Sequence, residues 1–360
     1  MDVRKAPQRQ ARNPAGVPKR TRTAAFGAGR REGHDASRFY ARFGAPQISD
    51  DDEVVACPVS DAVRNHDSRD LSFLPDKCIA LVVTSPPYFV GKEYEQGMGE
   101  GGVPASYVEY LEMLRAVFAE CYRVLEPGGR IAVNVANLGR KPYRSLSADV
   151  MGILQDDLGF LLRGEILWVK GKGANGSCAW GSYGSAANPV LRDVTERIVI
   201  ASKGRFDRAL SKRERATRGL PHEDTITPDD FRAWTLDTWY FPPESARRVG
   251  HPAPFPVELP RRLIELLTFR HDTVLDPFAG AGQVALACLD SERSYICVDI
   301  DSGYTRLAER RIEAATGGVS FAPGARRGAP RRAGQEAVRA AGRADVPTRP
   351  ADRAALQTSH

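Results

Sequence analysis

Cys78-Ile79-Ala80-Leu81-Val82-Val83-Thr84-Ser85-Pro86-Pro87-Tyr88 carries the first clue to the architecture. Its first six residues form an apolar, β-branched run of the kind that makes a strand buried on both faces. Two consecutive prolines then remove two backbone donors and fix φ, so the strand has to stop there. The result is a stiff loop at a strand's carboxyl end, displaying a hydroxyl, free backbone carbonyls and an aromatic ring. In open α/β sheets that edge is where ligands bind. A bare Pro-Pro would read as a strand ended by a turn. Ser before it, Tyr after it and a glycine-rich partner far downstream point instead to a site.

That partner is Thr273-Val274-Leu275-Asp276-Pro277-Phe278-Ala279-Gly280-Ala281-Gly282, a buried strand running into a tight glycine turn that opens a helix over Gln283–Leu289. A further strand, Tyr295–Val298, ends at Asp299, and Ser302 is positioned to cap a helix from Gly303 to Ala315. The order is strand, glycine loop, helix, strand, acid. Glycines let a ligand approach the backbone closely, and an acid after the second strand is placed to accept both ribose hydroxyls. Gly280-Ala281-Gly282 lacks the third glycine at its dinucleotide spacing, and a Pro-Phe pair precedes it. A nicotinamide enzyme is thereby disfavoured and an adenosine-containing ligand retained.

On either side of these motifs the pattern is regular. Glu53–Cys57 reads as a short strand and Leu71–Leu74 as a turn of helix. Gly91, Gly97, Gly99, Gly101 and Gly102 make a loop that is either a lid or a long connection. Tyr107, Leu111, Leu114, Phe118, Cys121 and Leu125 recur at helical spacing, and Glu126-Pro127-Gly128-Gly129 ends that helix before a strand over Arg130–Val135. A helix over Ser147–Asp157, strands over Glu165–Lys170 and Arg197–Ser202, and a helix over Pro256–Phe269 complete an α/β pattern.

The 360 residues, 42% of them hydrophobic, suffice for a sizeable core. No apolar run approaches the roughly 18 residues of a membrane span, and the amino terminus has no apolar signal region. Six cysteines without a C-x-x-C pair suggest neither a metal site nor a disulfide framework, so a reduced, cytoplasmic setting is expected. The net charge of +6 is unevenly spread: residues 1–50 carry 11 Lys/Arg against 4 Asp/Glu, and residues 318–360 carry 8 against 3. Residues 51–317 are therefore at −6, and the two tails, rich in Arg, Ala, Gly and Pro, read as disordered. Inside that acidic middle one dense basic cluster stands out, formed by Lys203, Arg205, Arg208, Lys212, Arg213, Arg215 and Arg218 and leading towards Trp234 and Trp239. A charge run is usually a solvated face, but basic and aromatic residues between strands also make surfaces that read nucleic acid.

Together Thr84–Tyr88 and Asp276–Gly282 resemble the paired motifs of the DNA amino-methyltransferases, which use S-adenosylmethionine to methylate exocyclic amines. The order, proline loop before glycine loop, resembles the permuted (beta) arrangement of that family. Leu167–Lys170, Glu196–Lys203, Asp237–Trp239, His251–Pro256 and Asp299 with Tyr304 extend the likeness over residues 53–316. Ala281 and Gln283 depart from it, standing where the family usually has Ser and often has Thr. The resemblance implies a Rossmann-like methyltransferase sheet in two halves, 51–203 catalytic and 251–317 cofactor-binding, with a target-recognition insertion at 204–250. It implies that Ser85, Pro86, Pro87 and Tyr88 are catalytic. Thr84, Asp276, Phe278, Gly280 and Gly282 would then contact the cofactor, Asp299 its ribose, and His251 to Phe255 its carboxylate. Lys203–Arg218 are expected to meet phosphates of double-stranded DNA. A cognate restriction enzyme and a second copy of the chain are the further partners expected. Ser85 before the prolines favours N4 of cytosine as the target, where an Asp is commoner in adenine-N6 enzymes. Adenine N6, an amine of RNA or a protein amide, and a catalytically silent subunit of a DNA-defence complex stay open.

Overall fold

A computed structural model describes residues 47–89, 104–137, 143–171, 181–191, 193–251 and 254–317. The basic tails, apart from residues 47–50, and the glycine-rich stretch 91–102 lie outside the described residues. Strands and helices follow one another as β1 (Ala62–Asn65), β2 (Ile79–Thr84), α1 (Tyr107–Val124), β3 (Leu125–Val135), α2 (Leu146–Gly152), β4 (Leu161–Val169) and β5 (Thr195–Ser202). Then come α3 (Lys212–Thr217), α4 (Pro228–Trp234), β6 (Thr238–Tyr240), α5 (Ala246–Val249), α6 (Glu258–Leu267), β7 (Thr273–Asp276), α7 (Gln283–Ser291), β8 (Ser294–Asp299) and α8 (Ser302–Ala315).

The eight strands form one sheet in the order β1-β8-β7-β2-β3-β5-β4-β6, in which β5 is antiparallel to both neighbours and every other pairing is parallel. All six residues of β2 are buried, as a central strand of such a sheet requires. One face is covered by α1 and α2, where Leu114, Phe118, Leu146 and Leu154 pack with Ile79, Ile131 and Val133. The other is covered by α6 and α7, where Leu259, Leu263, Val284 and Cys288 pack with Leu81, Val83 and Ile198. Each such Leu, Ile or Val contributes about 1.5–3 kcal/mol by leaving water, which makes the two faces the main source of stability. From β2 the chain moves through α1 to β3; from β7 it moves through α7 to β8, in the opposite direction along the sheet. The reversal lies between β2 and β7, at the carboxyl ends marked by Thr84 and Asp276. This is the Rossmann-like sheet with permuted motif order that the motifs implied.

Four local expectations change. Glu53–Cys57 is not a strand: it makes one ladder-like bond, Val55 N to Lys77 O, and the edge beside β8 is taken by Ala62–Asn65. Glu126–Gly129 does not separate helix from strand, because α1 stops at Val124 and those four residues bulge within β3 between the Ile79–Leu125 and Leu81–Arg130 pairs. The helix expected over Ser147–Asp157 closes with a π-helical turn over Ile153–Asp157. Asp301, not Ser302, caps α8, its carboxylate accepting from the amides of Gly303 and Tyr304.

Candidate active site

At the switch point Thr84 Oγ1 donates to Asp276 Oδ1 over 2.8 Å, both residues fully buried, so one hydrogen bond joins motifs 192 residues apart in sequence. Asp276 Oδ1 also accepts from the amide of Phe278. Oδ2 is buried with no partner among the described residues. Burial outweighs the bonds from Thr84 and Phe278 and pushes the Asp276 carboxyl up to about 7. A carboxylate oxygen left unpaired at the floor of a cleft is matched by a cationic group of a ligand. Among the described residues no cluster of His, Cys, Asp and Glu could hold a metal ion.

The glycine turn is tight for stated reasons. Gly280 and Gly282 have φ of +48° and +75°, and a Cβ on either would lie 2.9 Å from His251 Nε2 or from the Ala308 Cβ of α8 respectively. The absent side chains let His251 and α8 close on the turn. The amide of Gly280 donates to Asp299 Oδ2 over 2.8 Å, and burial raises the Asp299 carboxyl despite this bond and one from Asp301 N. His251 packs on Tyr304, with ring centroids 4.7 Å apart. Its burial, helped by the nearby Arg311 charge, holds it down to about 4. It is therefore neutral at pH 7 and brings no positive charge to a carboxylate. Phe255 is buried and its carbonyl accepts from Gln283 Nε2, while Gln283 Oε1 and the Ala281 carbonyl both accept from Arg311. The Gln283 departure thus ties the His251–Phe255 segment to the turn. Phe278 is half-buried on the face that α1 covers.

Across the cleft, Ser85 is half-buried, its Oγ donating to Asn134 O over 3.0 Å and lying 2.9 Å from the Tyr88 hydroxyl. Tyr110 donates to Pro87 O over 2.6 Å and stacks on Phe89, whose φ is +51°; no described residue donates to Pro86 O. Tyr88 is buried, not displayed as expected. Its hydroxyl sits within 3.2 Å of Asn134 Nδ2 and 3.1 Å of Glu196 Oε2. Asn134, Tyr110 and Arg311 escaped the sequence reading because each looks like an ordinary strand or helix residue. Asn65, whose Nδ2 donates to Asp299 O and Ile300 O, and Ser68, whose Oγ donates to Pro277 O over 2.7 Å, were missed in the same way.

The basic cluster lies elsewhere. Because β5 is antiparallel, its last residue Ser202 pairs with Arg130 and delivers the chain to the amino edge of the sheet. One strand of six residues spans about 20 Å, which separates that edge from the catalytic loop. There Arg208 and Arg215, nearly inaccessible, are paired with the buried carboxylates of Glu126 and Asp272. Lys203 Nζ donates to the carbonyls of Arg123 and Leu125 at the end of α1. Arg205 pairs with Asp207 and Lys212 with Asp224. Three of the seven cations are thus internal, and a phosphate-binding role for them is corrected by burial. Lys212, Arg213 and Arg218 are exposed, but on the edge away from the site.

A proline loop and a glycine loop facing each other over the switch point of a Rossmann-like sheet define a methyltransferase of the adenosyl-cofactor class. The DNA methylase (N6_N4_Mtase) family model matches residues 79–310, and the chain belongs to that family. Its cofactor is S-adenosylmethionine. The chain is 26% identical over 304 residues to the Type II methyltransferase M.BglI of Bacillus subtilis, covering 69% of this chain and 84% of that one. It is 27% identical over 290 residues to the Type II methyltransferase M.MjaI of Methanocaldococcus jannaschii, covering 70% and 92%. Among solved structures, TTHA0409 of Thermus thermophilus, described as a DNA modification methylase and solved in complex with S-adenosyl-L-methionine, superposes with a TM-score of 0.54 at 26% identity over 71% of this chain and 96% of that one. The cytosine-N4-specific PvuII DNA methyltransferase shares the fold, with a TM-score of 0.52 at 20% identity over 72% and 90%.

Proposed function

We propose that this DNA methyltransferase modifies the exocyclic N4 amine of cytosine at specific sites in duplex DNA. The carrying observation is Ser85, a neutral hydroxyl at the switch point, beside the buried Asp276. Bound S-adenosylmethionine supplies an electrophilic methyl group. Asp276 Oδ2 takes the cationic end of the donor's amino-acid half, and Asp299 accepts the ribose hydroxyls. Ile300, exposed immediately after Asp299, and the Asn65–Ser68 turn flank the adenine end. The amine of a nucleobase is a poor nucleophile because its lone pair is delocalised into the ring. Ser85 Oγ and Pro86 O accept its two hydrogens and favour the pyramidal, nucleophilic nitrogen. The base reaches them only when taken out of the stack. Holding it there supplies most of the acceleration, and the proton leaves after attack, from a cationic nitrogen.

The duplex approaches the carboxyl edge, where the β4–β5 and β6–α6 connections carry residues 181–191 and 240–251. Tyr183, Leu191 and Tyr240 are exposed there, at 82%, 95% and 72%. Recognition is therefore assigned to those segments and not to Lys203–Arg218. The Type II naming of the relatives supports a role in restriction and modification, opposite a cognate endonuclease. Methylation of duplex DNA in vitro, followed by nucleoside mass spectrometry, tests the reading. N4-methylcytosine is expected. N6-methyladenine alone would move the assignment to adenine, and transfer to RNA or protein but not DNA would overturn the substrate.

A further inference from the structure

We propose that Glu196 is a positioning residue of the transfer: it orients the hydroxyl protons of Tyr88 and Ser85 so that Ser85 meets the substrate amine as an acceptor. This rests on the reading that Ser85 receives that amine. Glu196 enters the catalytic cluster from β5, 108 residues beyond Tyr88. Lys170 Nζ donates to its Oε1 over 2.9 Å, with the Glu196 side chain 12% exposed, so the pair lies largely out of solvent. Oε2 accepts from Asn134 Nδ2 over 2.6 Å and from the Tyr88 hydroxyl over 3.1 Å.

The accounting of hydrogens carries the inference. A hydroxyl has one proton, and Tyr88 lies between Glu196 Oε2 and Ser85 Oγ. The bond to an ionised carboxylate is the stronger, so the Tyr88 proton points to Glu196. Ser85 then keeps its own proton for Asn134 O or for Tyr88, both on the protein side, and turns its lone pairs to the cleft. Asn134 bears the same imprint. Both hydrogens of its amide face Glu196 and Tyr88, which leaves Oδ1 buried without a partner among the described residues. Turning the amide over would set an acceptor against the carboxylate. The charge of Glu196, held by Lys170, thus fixes the polarity of the whole chain of bonds down to Ser85.

The test is single-turnover methylation of duplex DNA by the full chain, with cofactor affinity and thermal melting measured alongside. Glu196→Gln keeps the shape and one acceptor but loses the charge, and its amide can donate to Tyr88 and reverse the chain. It is expected to slow transfer roughly tenfold, the effect of one hydrogen bond in the transition state, with cofactor affinity unchanged. Tyr88→Phe removes the link and is expected to slow transfer similarly. The double variant is expected to be no slower than the slower single one. A wild-type rate in Glu196→Gln, or losses that multiply in the double variant, would overturn the proposal. Should Glu196→Gln fail to fold, Lys170→Met replaces it: it should slow transfer in the otherwise unaltered chain and have no further effect once Tyr88→Phe has been made. Ser85→Ala separates the two readings. If it is inactive while Glu196→Gln is unimpaired, only the role of Glu196 falls; if it is active, the reading of Ser85 falls and this proposal with it.

Discussion

Among single residues, Asp276 has the clearest consequence. Its carboxyl is raised to about 7 by burial, so in the free protein the proton is held well above the ordinary carboxylate range. The contribution of this group to stability is present below about pH 4 and is lost as pH rises through about 7, because ionising a buried carboxyl is unfavourable. A cationic ligand prefers the ionised form, so its binding releases the proton below pH 7. S-adenosylmethionine affinity is expected to rise roughly tenfold between pH 5.5 and 7, then level off and decline above about 8 as an α-amino group loses its charge. Asp299, also raised by burial, acts in the same direction. His251, held at about 4, does not titrate in that window. Calorimetry across the range checks this, and Asp276→Asn should bind weakly with most of the pH slope gone. A second expectation concerns the turn. Gly280→Ala places a Cβ on His251 at a φ of +48° and should abolish cofactor binding while the protein stays folded.

Among the elements, the segment from Lys203 to Arg218 is a brace. Arg208 and Arg215 join the bulge of β3 at Glu126 to the residue preceding β7, Asp272, with four charges closed on one another. Removing one member leaves a buried charge without its partner. Arg215→Ala is expected to cost about 3–5 kcal/mol, read from the midpoint of denaturant unfolding at unchanged slope. Neutralising Lys212, Arg213 and Arg218 together should leave DNA affinity and its salt dependence as they are. A flattened salt slope would return those residues to the DNA interface.

Across the molecule, the sheet separates two edges with different tasks. The carboxyl edge gathers Ser85, Asp276, Asp299 and the exposed Tyr183 and Tyr240; the amino edge holds the ionic brace and the exposed Phe206. A photo-crosslinking side chain at Tyr183 should capture duplex DNA carrying the target site, and one at Phe206 should not. Capture from Phe206 alone would place the duplex on the other edge. Among the described residues no helix is long and apolar enough to cross a membrane.

Elements whose chemistry is local were legible in the amino-acid sequence. An apolar run stopped by two prolines had to be a buried strand with a loop at its end, and Gly280-Ala281-Gly282 had to be a tight turn before a helix. Both were found where they were expected, together with the acid at Asp299. Which elements meet was settled by tertiary contact. Apolar periodicity states which face of a strand is buried, but not which neighbour it pairs with or in which direction it runs. Ala62–Asn65 took the edge beside β8 from the more apolar Glu53–Cys57 because pairing depends on where the chain can reach. The antiparallel course of β5 carried the basic cluster to the amino edge and turned an expected DNA surface into an internal brace. The same course set Glu196 against Tyr88, since antiparallel pairing with β3 brings the start of β5 to the carboxyl edge, a juxtaposition that no spacing in the sequence contains.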